Sequence, residues 1–462
     1  MSTNPILNTD SYKISHWVQY PPGMDGMFSY IESRGGLYPR TVFFGLQAIF
    51  KEYLSTPVTR ADIAEAKELL ALHGEPLNEA GWSYILDVHG GHLPVTIRAV
   101  PEGSVIPNRN VLATVQSTDP QCFWIASYLE TMLLRLWYPT TVATISWHIK
   151  QLLRRYLERT SDDPVGQLPF KLHDFGARGV SSYESAGLGG LAHLVNFKGT
   201  DTLAALLAAR KYYAEPMAAF SIPAAEHSTI TAWGREGEAA AYSNMVRQYG
   251  KPGAIFACVL DSYDVYSAIE HLWGSRLKQQ VIDSGATLVV RPDSGNPPDV
   301  VEKCATLLDR AYGSTLNRKG FKVLNHVRLI QGDGVNETSI QEILERLTQA
   351  GFAADNVAFG MGGALLQQMN RDTQKFAMKC SAARINGQWV DVFKDPVTDP
   401  GKASKKGRLD LIRDATTRDF LTCAMGSTSA SRPSELVEVF SNGNISNEWS
   451  FAEVRARSEQ AV

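Results

Sequence analysis

Long hydrophobic runs are missing from this chain. No stretch reaches the roughly 18 consecutive apolar residues of a membrane-spanning helix. The start, Met1-Ser2-Thr3-Asn4-Pro5, has neither the basic opening nor the apolar stretch of a secretion signal. No membrane partner is therefore expected. Cysteine is scarce: Cys122, Cys258, Cys304, Cys380 and Cys423 are scattered without CxxC or CxH spacing. That pattern excludes a disulfide framework and reads as reduced thiols in the cytoplasm. Positive charge is not in excess either. The net charge is −3, so the chain has no surplus of cations to neutralise a nucleic-acid backbone, and no nucleic-acid partner is expected. Repeats of fixed period and low-complexity segments are absent.

What remains is an ordinary globular composition, 44% hydrophobic and 20% charged. At 462 residues the chain exceeds one α/β barrel, which takes about 250. Four short apolar runs in its second half end in acidic or glycine residues. Ala254–Leu260 leads into Asp261, and Thr287–Val290 into Arg291-Pro292-Asp293-Ser294-Gly295. Val327–Ile330 leads into Gly332-Asp333-Gly334, and Val357–Phe359 into Gly360-Met361-Gly362-Gly363. Each reads as a buried parallel strand with reactive residues at its carboxyl end, where α/β folds carry their sites. Helical patterning at Val300–Leu308 and Ile340–Leu347 fills the connections. Phe170–His173, leading into Asp174-Phe175-Gly176, and Phe220–Ile222, leading into Pro223, add further strands.

The flanks differ. Leu93–Val100 alternates, Pro101-Glu102-Gly103 turns, and Val111–Val115 follows. Ile125, Leu129, Leu133 and Leu136 predict a helix stopped by Pro139, and Ile145, Ile149, Leu152 and Tyr156 a second. Near the end, Asn386-Gly387 between two strand-like runs signals a hairpin. The expected fold class is α/β. An irregular α/β barrel over 161–379 would carry the chemistry. Residues 1–160 and 380–462 would join in one β-rich domain with helices.

Asp261, Asp293 and Asp333 would then share a rim with the Gly362-Gly363 turn. Glycine lets a backbone approach closely, and N–H groups at a helix start receive phosphate. A row of carboxylates beside such a cradle suits a phosphorylated, metal-bound substrate. Each Asp could equally cap a helix, and the glycines could serve a tight turn. The run Lys402, Lys405, Lys406 and Arg408 reads as a basic loop, either solvated or gathering phosphate.

The motifs, in order, carry a resemblance across nearly the whole chain. They are Thr9-Asp10-Ser11-Tyr12-Lys13, Val100-Pro101-Glu102-Gly103, His173-Asp174-Phe175-Gly176, Arg178-Gly179-Val180-Ser181-Ser182, Asn196–Thr202, Pro223–Ser228, Asp261-Ser262-Tyr263-Asp264, Arg291–Gly295, Gln331–Gly334 and Lys394-Asp395-Pro396. Together they resemble the nicotinamide phosphoribosyltransferase family. That resemblance implies the type II phosphoribosyltransferase fold and a homodimer with shared active sites. It implies joining nicotinamide to 5-phosphoribosyl-1-pyrophosphate with Mg²⁺ held mainly through the substrate's pyrophosphate, no dedicated protein metal site, and ATP as co-substrate.

The resemblance also assigns residues. Phe175 and a partner-subunit Tyr12 would sandwich the pyridine, with Asp201, Arg178, Arg291 and Asp10 around it. Asp201 would accept a hydrogen bond from the carboxamide and repel the carboxylate of nicotinate. Gly332, Gly362 and Gly363 would hold the 5′-phosphate, with Arg291 nearby. Asp293 and Asp333 would meet ribose hydroxyls or metal-bound water, with Asp261 beside them. Arg34, Arg371, Lys379 and Lys394 would surround the pyrophosphate, and His227 would accept a phosphoryl group from ATP. Ala257 and Ala377 replace serines expected there, which bears on affinity more than on the reaction. A nicotinate phosphoribosyltransferase, or a non-catalytic binding protein on the same scaffold, are the alternatives.

Overall fold

Buried, β-branched-rich runs flanked by turn residues form a six-stranded parallel sheet. The order is Gly199–Thr200, Leu172–Asp174, Val357–Met361, Val327–Gln331, Thr287–Arg291, Ile255–Val259. In this computed structural model, residues 4–398 and 403–460 are described. The two edges of the sheet are joined by one segment, Phe220–Ala225. Phe220 N–H donates to Lys198 O (2.8 Å) and Thr200 N–H to Phe220 O (3.2 Å). On the opposite side, Ala257 N–H donates to Pro223 O and Ala225 N–H to Ala257 O, each at 2.9 Å. The barrel is closed, but the segment makes two isolated parallel bridges, at Phe220 and at Ala224, and Phe220–Ile222 is not the strand predicted for it. Pro223 explains part of this, since it has no N–H to give a regular ladder.

The long connecting helices begin on side-chain caps. Asn296 accepts from Asp299 N–H at the head of Pro297–Tyr312, and Asn336 with Ser339 forms a capping box on Glu337–Gln349. Val301, Cys304 and Leu308 on one, and Ile340, Ile343 and Leu347 on the other, are buried, giving the apolar stripe of a crossover helix. These crossovers force the strands parallel, so all their carboxyl ends emerge on one rim.

The barrel interior is lined by small and medium side chains. Ala257, Val289 and Ile330 pack with Phe175, Ile222 and Ala358. Barrels of this kind are normally filled by bulky branched residues. Here the small residues leave a cavity of about 500 Å³, reached by Phe175, Asp201, Ser221 and Arg291.

Among the described residues the chain divides into two compact units. One comprises Ile145–Arg210 and Pro216–Gln368, and contains the barrel. The other comprises Met1–Thr144, Lys211–Glu215 and Met369–Val462. This terminal unit is built on a seven-stranded antiparallel sheet ordered Gln388–Asp391, Phe376–Ile385, Met24–Ser33, Val111–Ser117, Val95–Ala99, Val437–Ser441, Asn444–Ile445. Both termini therefore contribute strands, and Phe28, Ile97, Val115, Met378 and Phe440 lie in its core. Asn386 (φ 51°) and Gly387 (φ 78°) turn the predicted hairpin, both in the left-handed region that a primed turn requires.

The helix expected over Ile125–Leu136 is two short pieces, Ile125–Tyr128 and Glu130–Leu134. Pro139 sits in the first turn of the following helix, Trp137–Thr160. Proline is tolerated there because that N–H has no helical partner. Lys402 of the basic run lies outside the described residues. No helix among the described residues is long and apolar enough to cross a membrane.

Candidate active site

Every strand of the barrel delivers a side chain or a glycine to the same rim. Asp174 is followed by Phe175, Thr200 by Asp201, Met361 by Gly362, Gln331 by Gly332 and Asp333. Arg291 ends its strand with Asp293 two residues on, and Val259 leads through Leu260 to Asp261. The closing segment leads to Glu226 and His227. The parallel topology is thus what gathers residues more than 150 positions apart in sequence.

The glycines show how tightly these ends converge. A Cβ placed on Gly332 would stand 3.3 Å from Phe175 Cε2, 3.4 Å from Asp293 Oδ1 and 3.7 Å from Arg291 Cδ. One placed on Gly360 would overlap the Phe175 ring itself. So Gly360 is required by space, not by dihedral angle: the ring occupies the place a side chain would take. Around the turn, a Cβ on Gly179 would lie 3.4 Å from Gly363 Cα, which brings the loop carrying exposed Arg178 beside the glycine turn. Gly363 has open space where a side chain would be. The helix it opens, Gly363–Leu366, is a single turn.

Charge accumulates at this rim. Arg291 Nη2 lies 3.9 Å from Asp293 Oδ2. Burial pushes the Asp293 carboxyl above the ordinary range; Arg291 and His227 oppose this, while Asp261 and Asp333 add to it. The three carboxylates give this rim a negative field. Asp261, Asp293 and Asp333 offer oxygen donors of the hard kind that Mg²⁺ takes alongside substrate phosphates. Among the described residues their carboxylates do not converge into a metal-holding cluster, so the fit is to an ion carried mainly by substrate phosphate.

His227 Nε2 stands 3.0 Å from Asp261 Oδ1. The histidine side chain is 45% exposed while the aspartate is 8% exposed, so a fixed carboxylate orients an accessible ring. Sequence spacing alone does not reveal this partner. On the cavity wall, Asp201 Oδ1 accepts a 2.6 Å hydrogen bond from Ser221 Oγ. Ser221 escaped the sequence reading because a serine in the short bridging segment carries no motif signal. Below them Asp174 is buried, and that burial raises its carboxyl, although Gly176 N–H and Thr200 Oγ1 donate to it. It braces the turn carrying Phe175. Burial holds His173 low and neutral.

Tyr12, Asp10, Arg34, Arg371, Lys379 and Lys394 fold with the terminal unit. Tyr12 is 57% exposed, and Asp10 Oδ2 accepts from Thr131 Oγ1 at 2.6 Å. Arg34 pairs with Glu32 (3.0 Å) and Lys379 with Glu130 (3.5 Å). Arg371 pairs with its neighbour Asp372, and Lys394 is exposed. Ala257 lines the cavity, and Ala377 stands opposite Glu32 in the antiparallel sheet.

The fold is shared with two solved structures. It superposes on the nicotinate-nucleotide pyrophosphorylase of Pyrococcus furiosus with a TM-score of 0.63 at 16% identity, covering 100% of this chain and 96% of that one. It superposes on human nicotinic acid phosphoribosyltransferase with a TM-score of 0.59 at 16% identity, covering 98% and 93%. In sequence, residues 170–440 match the nicotinate phosphoribosyltransferase (NAPRTase) family and residues 4–97 the nicotinamide phosphoribosyltransferase N-terminal domain. The nicotinamide phosphoribosyltransferase of Xanthomonas campestris pv. campestris is 63% identical over 99% of this chain and 98% of its own length. That of Acinetobacter baylyi is 32% identical over 99% and 98%. The chain belongs to the nicotinamide phosphoribosyltransferases, within the NAPRTase family.

Proposed function

We propose that this chain joins nicotinamide to 5-phosphoribosyl-1-pyrophosphate, giving nicotinamide mononucleotide and pyrophosphate for NAD salvage in the cytoplasm. The convergence of Phe175, Arg291, Asp293 and Gly332 at the mouth of the cavity carries this reading. Departure of pyrophosphate breaks the anomeric C–O bond and leaves positive charge on the ribose. Asp293 and Asp333 stabilise that charge where it develops, with Asp261 behind them. Phe175 stacks on the pyridine and holds its nitrogen facing the anomeric carbon, contributing roughly 0.5–1.5 kcal/mol beyond burial. Asp201, aimed by Ser221, accepts the carboxamide N–H. Backbone N–H groups of Gly332, Gly362 and Gly363 receive the 5′-phosphate. Mg²⁺, when bound with substrate, neutralises the leaving pyrophosphate. Incubation with nicotinamide, phosphoribosyl pyrophosphate and Mg²⁺ should yield the mononucleotide. Nicotinate used equally well would favour the other branch of the family, and no product would favour a binding protein.

In the homodimer, two copies would complete each other's sites. The partner subunit would supply the ring of Tyr12, with Asp10, to the pyridine. Arg34, Arg371, Lys379 and Lys394 would meet the pyrophosphate.

ATP acts through His227. With the Nε2 proton donated to Asp261, Nδ1 keeps its lone pair and can attack the γ-phosphorus of ATP. A P–N bond forms, the P–O bond to ADP breaks, and water later releases phosphate. His227→Ala should abolish stimulation by ATP and retain basal synthesis, read by mononucleotide formation with and without ATP. Persisting stimulation would remove His227 from this role.

Gly360→Ala should raise the KM for nicotinamide about tenfold, because the new methyl must displace the Phe175 ring, an overpacking of roughly 1–3 kcal/mol. An unchanged KM would mean that the ring position does not matter.

A further inference from the structure

Glu32 lies in the strand Met24–Ser33 and is 2% exposed, yet it is surrounded by cationic and phenolic donors. Its Oε1 accepts from Arg34 Nε at 3.0 Å and from Tyr30 Oη at 3.4 Å, and its Oε2 pairs with Lys405 Nζ. Tyr30 Oη in turn accepts the backbone N–H of Lys405 at 2.9 Å. Burial, then the Glu32 charge, pushes the Tyr30 phenol up to about 12, so it stays a neutral donor. One residue earlier, Ser404 N–H donates to Lys394 O and Lys394 N–H to Ser404 Oγ, each at 3.0 Å. A single buried carboxylate thus anchors Arg34, Lys405 and, through Ser404, the backbone of Lys394.

The arrangement leaves one group unsatisfied. Arg34 Nη2 is buried and has no hydrogen-bond partner among the described residues. An unpaired buried donor costs about 1–3 kcal/mol, more when charged. Gripping the guanidinium by Nε leaves Nη2 without a partner, and an arginine fork is suited to two oxygens of a phosphate. One carboxylate against two cations also leaves net positive charge for an anion to meet.

We propose that Glu32 is a positioning residue for the pyrophosphate of the substrate: it aims the unpartnered Nη2 of Arg34 and tethers Lys405 and, through Ser404, the backbone of Lys394. This rests on the reading of Arg34 and Lys394 as pyrophosphate contacts. Glu32 itself touches no substrate. Its effect is to fix donors that would otherwise pay rotamer entropy on each binding event.

The test is pyrophosphate binding by calorimetry together with steady-state kinetics on the full chain. Glu32→Gln should raise the pyrophosphate Kd and the KM for phosphoribosyl pyrophosphate by about tenfold to a hundredfold, as loss of a buried charge partner does, with the KM for nicotinamide changed less than about twofold. Tyr30→Phe, which keeps the ring packed but removes the donor to Glu32 and the acceptor of Lys405 N–H, should shift the same two constants by about threefold to tenfold. It decides the matter if the first variant does not fold. Unchanged pyrophosphate affinity in both variants, with Arg34→Ala weakening it, would overturn the role of Glu32. So would an equal rise in both KM values, which is the mark of a purely structural defect. If Arg34→Ala also leaves pyrophosphate binding intact, the underlying assignment of Arg34 is what fails.

Discussion

Asp293→Asn should lower turnover about a thousandfold, the upper range for removing one preorganised electrostatic group from a reacting centre, and leave the fold intact. The carboxylate touches the space beside Gly332 and faces Arg291 at 3.9 Å, so it lies where Phe175 and the strand ends meet. No other carboxylate at the rim has that position. Stability should not suffer. Burial raises the Asp293 carboxyl, so the folded chain holds that proton further up the pH scale than the unfolded chain does. Its contribution to stability is fully present in acid and falls as pH rises through the folded value. At neutral pH the ionised group is a cost, which the neutral amide removes. The same shift predicts that turnover falls off on the acid side above the ordinary aspartate range near 3.9. Turnover number and melting temperature together check this; near-normal turnover would remove Asp293 from the reaction.

Asp201→Asn should reduce the preference for nicotinamide over nicotinate by about a hundredfold, since juxtaposed like charges cost several kcal/mol. The asparagine can still accept from Ser221 and from a carboxamide, so the loss should appear mainly as a gain in nicotinate use. The ratio of kcat/KM values for the two bases is the measurement. An unchanged ratio would assign the discrimination elsewhere.

Much of this site is legible in the sequence because parallel strands concentrate chemistry at their ends. The four apolar runs are strands Ile255–Val259, Thr287–Arg291, Val327–Gln331 and Val357–Met361, each with its Asp or Gly where the pattern places it. The β-rich terminal unit is legible from alternation and the Asn386-Gly387 turn. The closing segment is legible as a short strand-like run, Phe220–Ile222, but its making two bridges rather than a ladder is not. Pro139 misleads because a proline that ends one helix and one that begins the next look alike without the neighbouring contacts. The partners of Asp201 and His227 are invisible for another reason: Ser221 and Asp261 lie 20 and 34 positions away, and only closure of the barrel makes them neighbours. Glu32 carries no motif signal, and only its burial in the strand Met24–Ser33 singles it out.

The central claim is that one rim of the barrel binds the pyridine, the ribose and the phosphate together. A crystal structure of the protein with nicotinamide mononucleotide tests it most directly. The ring should lie on Phe175 with its carboxamide on Asp201, the ribose beside Asp293, and the phosphate at Gly332, Gly362 and Gly363. A nucleotide bound with its ring away from Phe175, or its phosphate away from that glycine turn, would contradict the account.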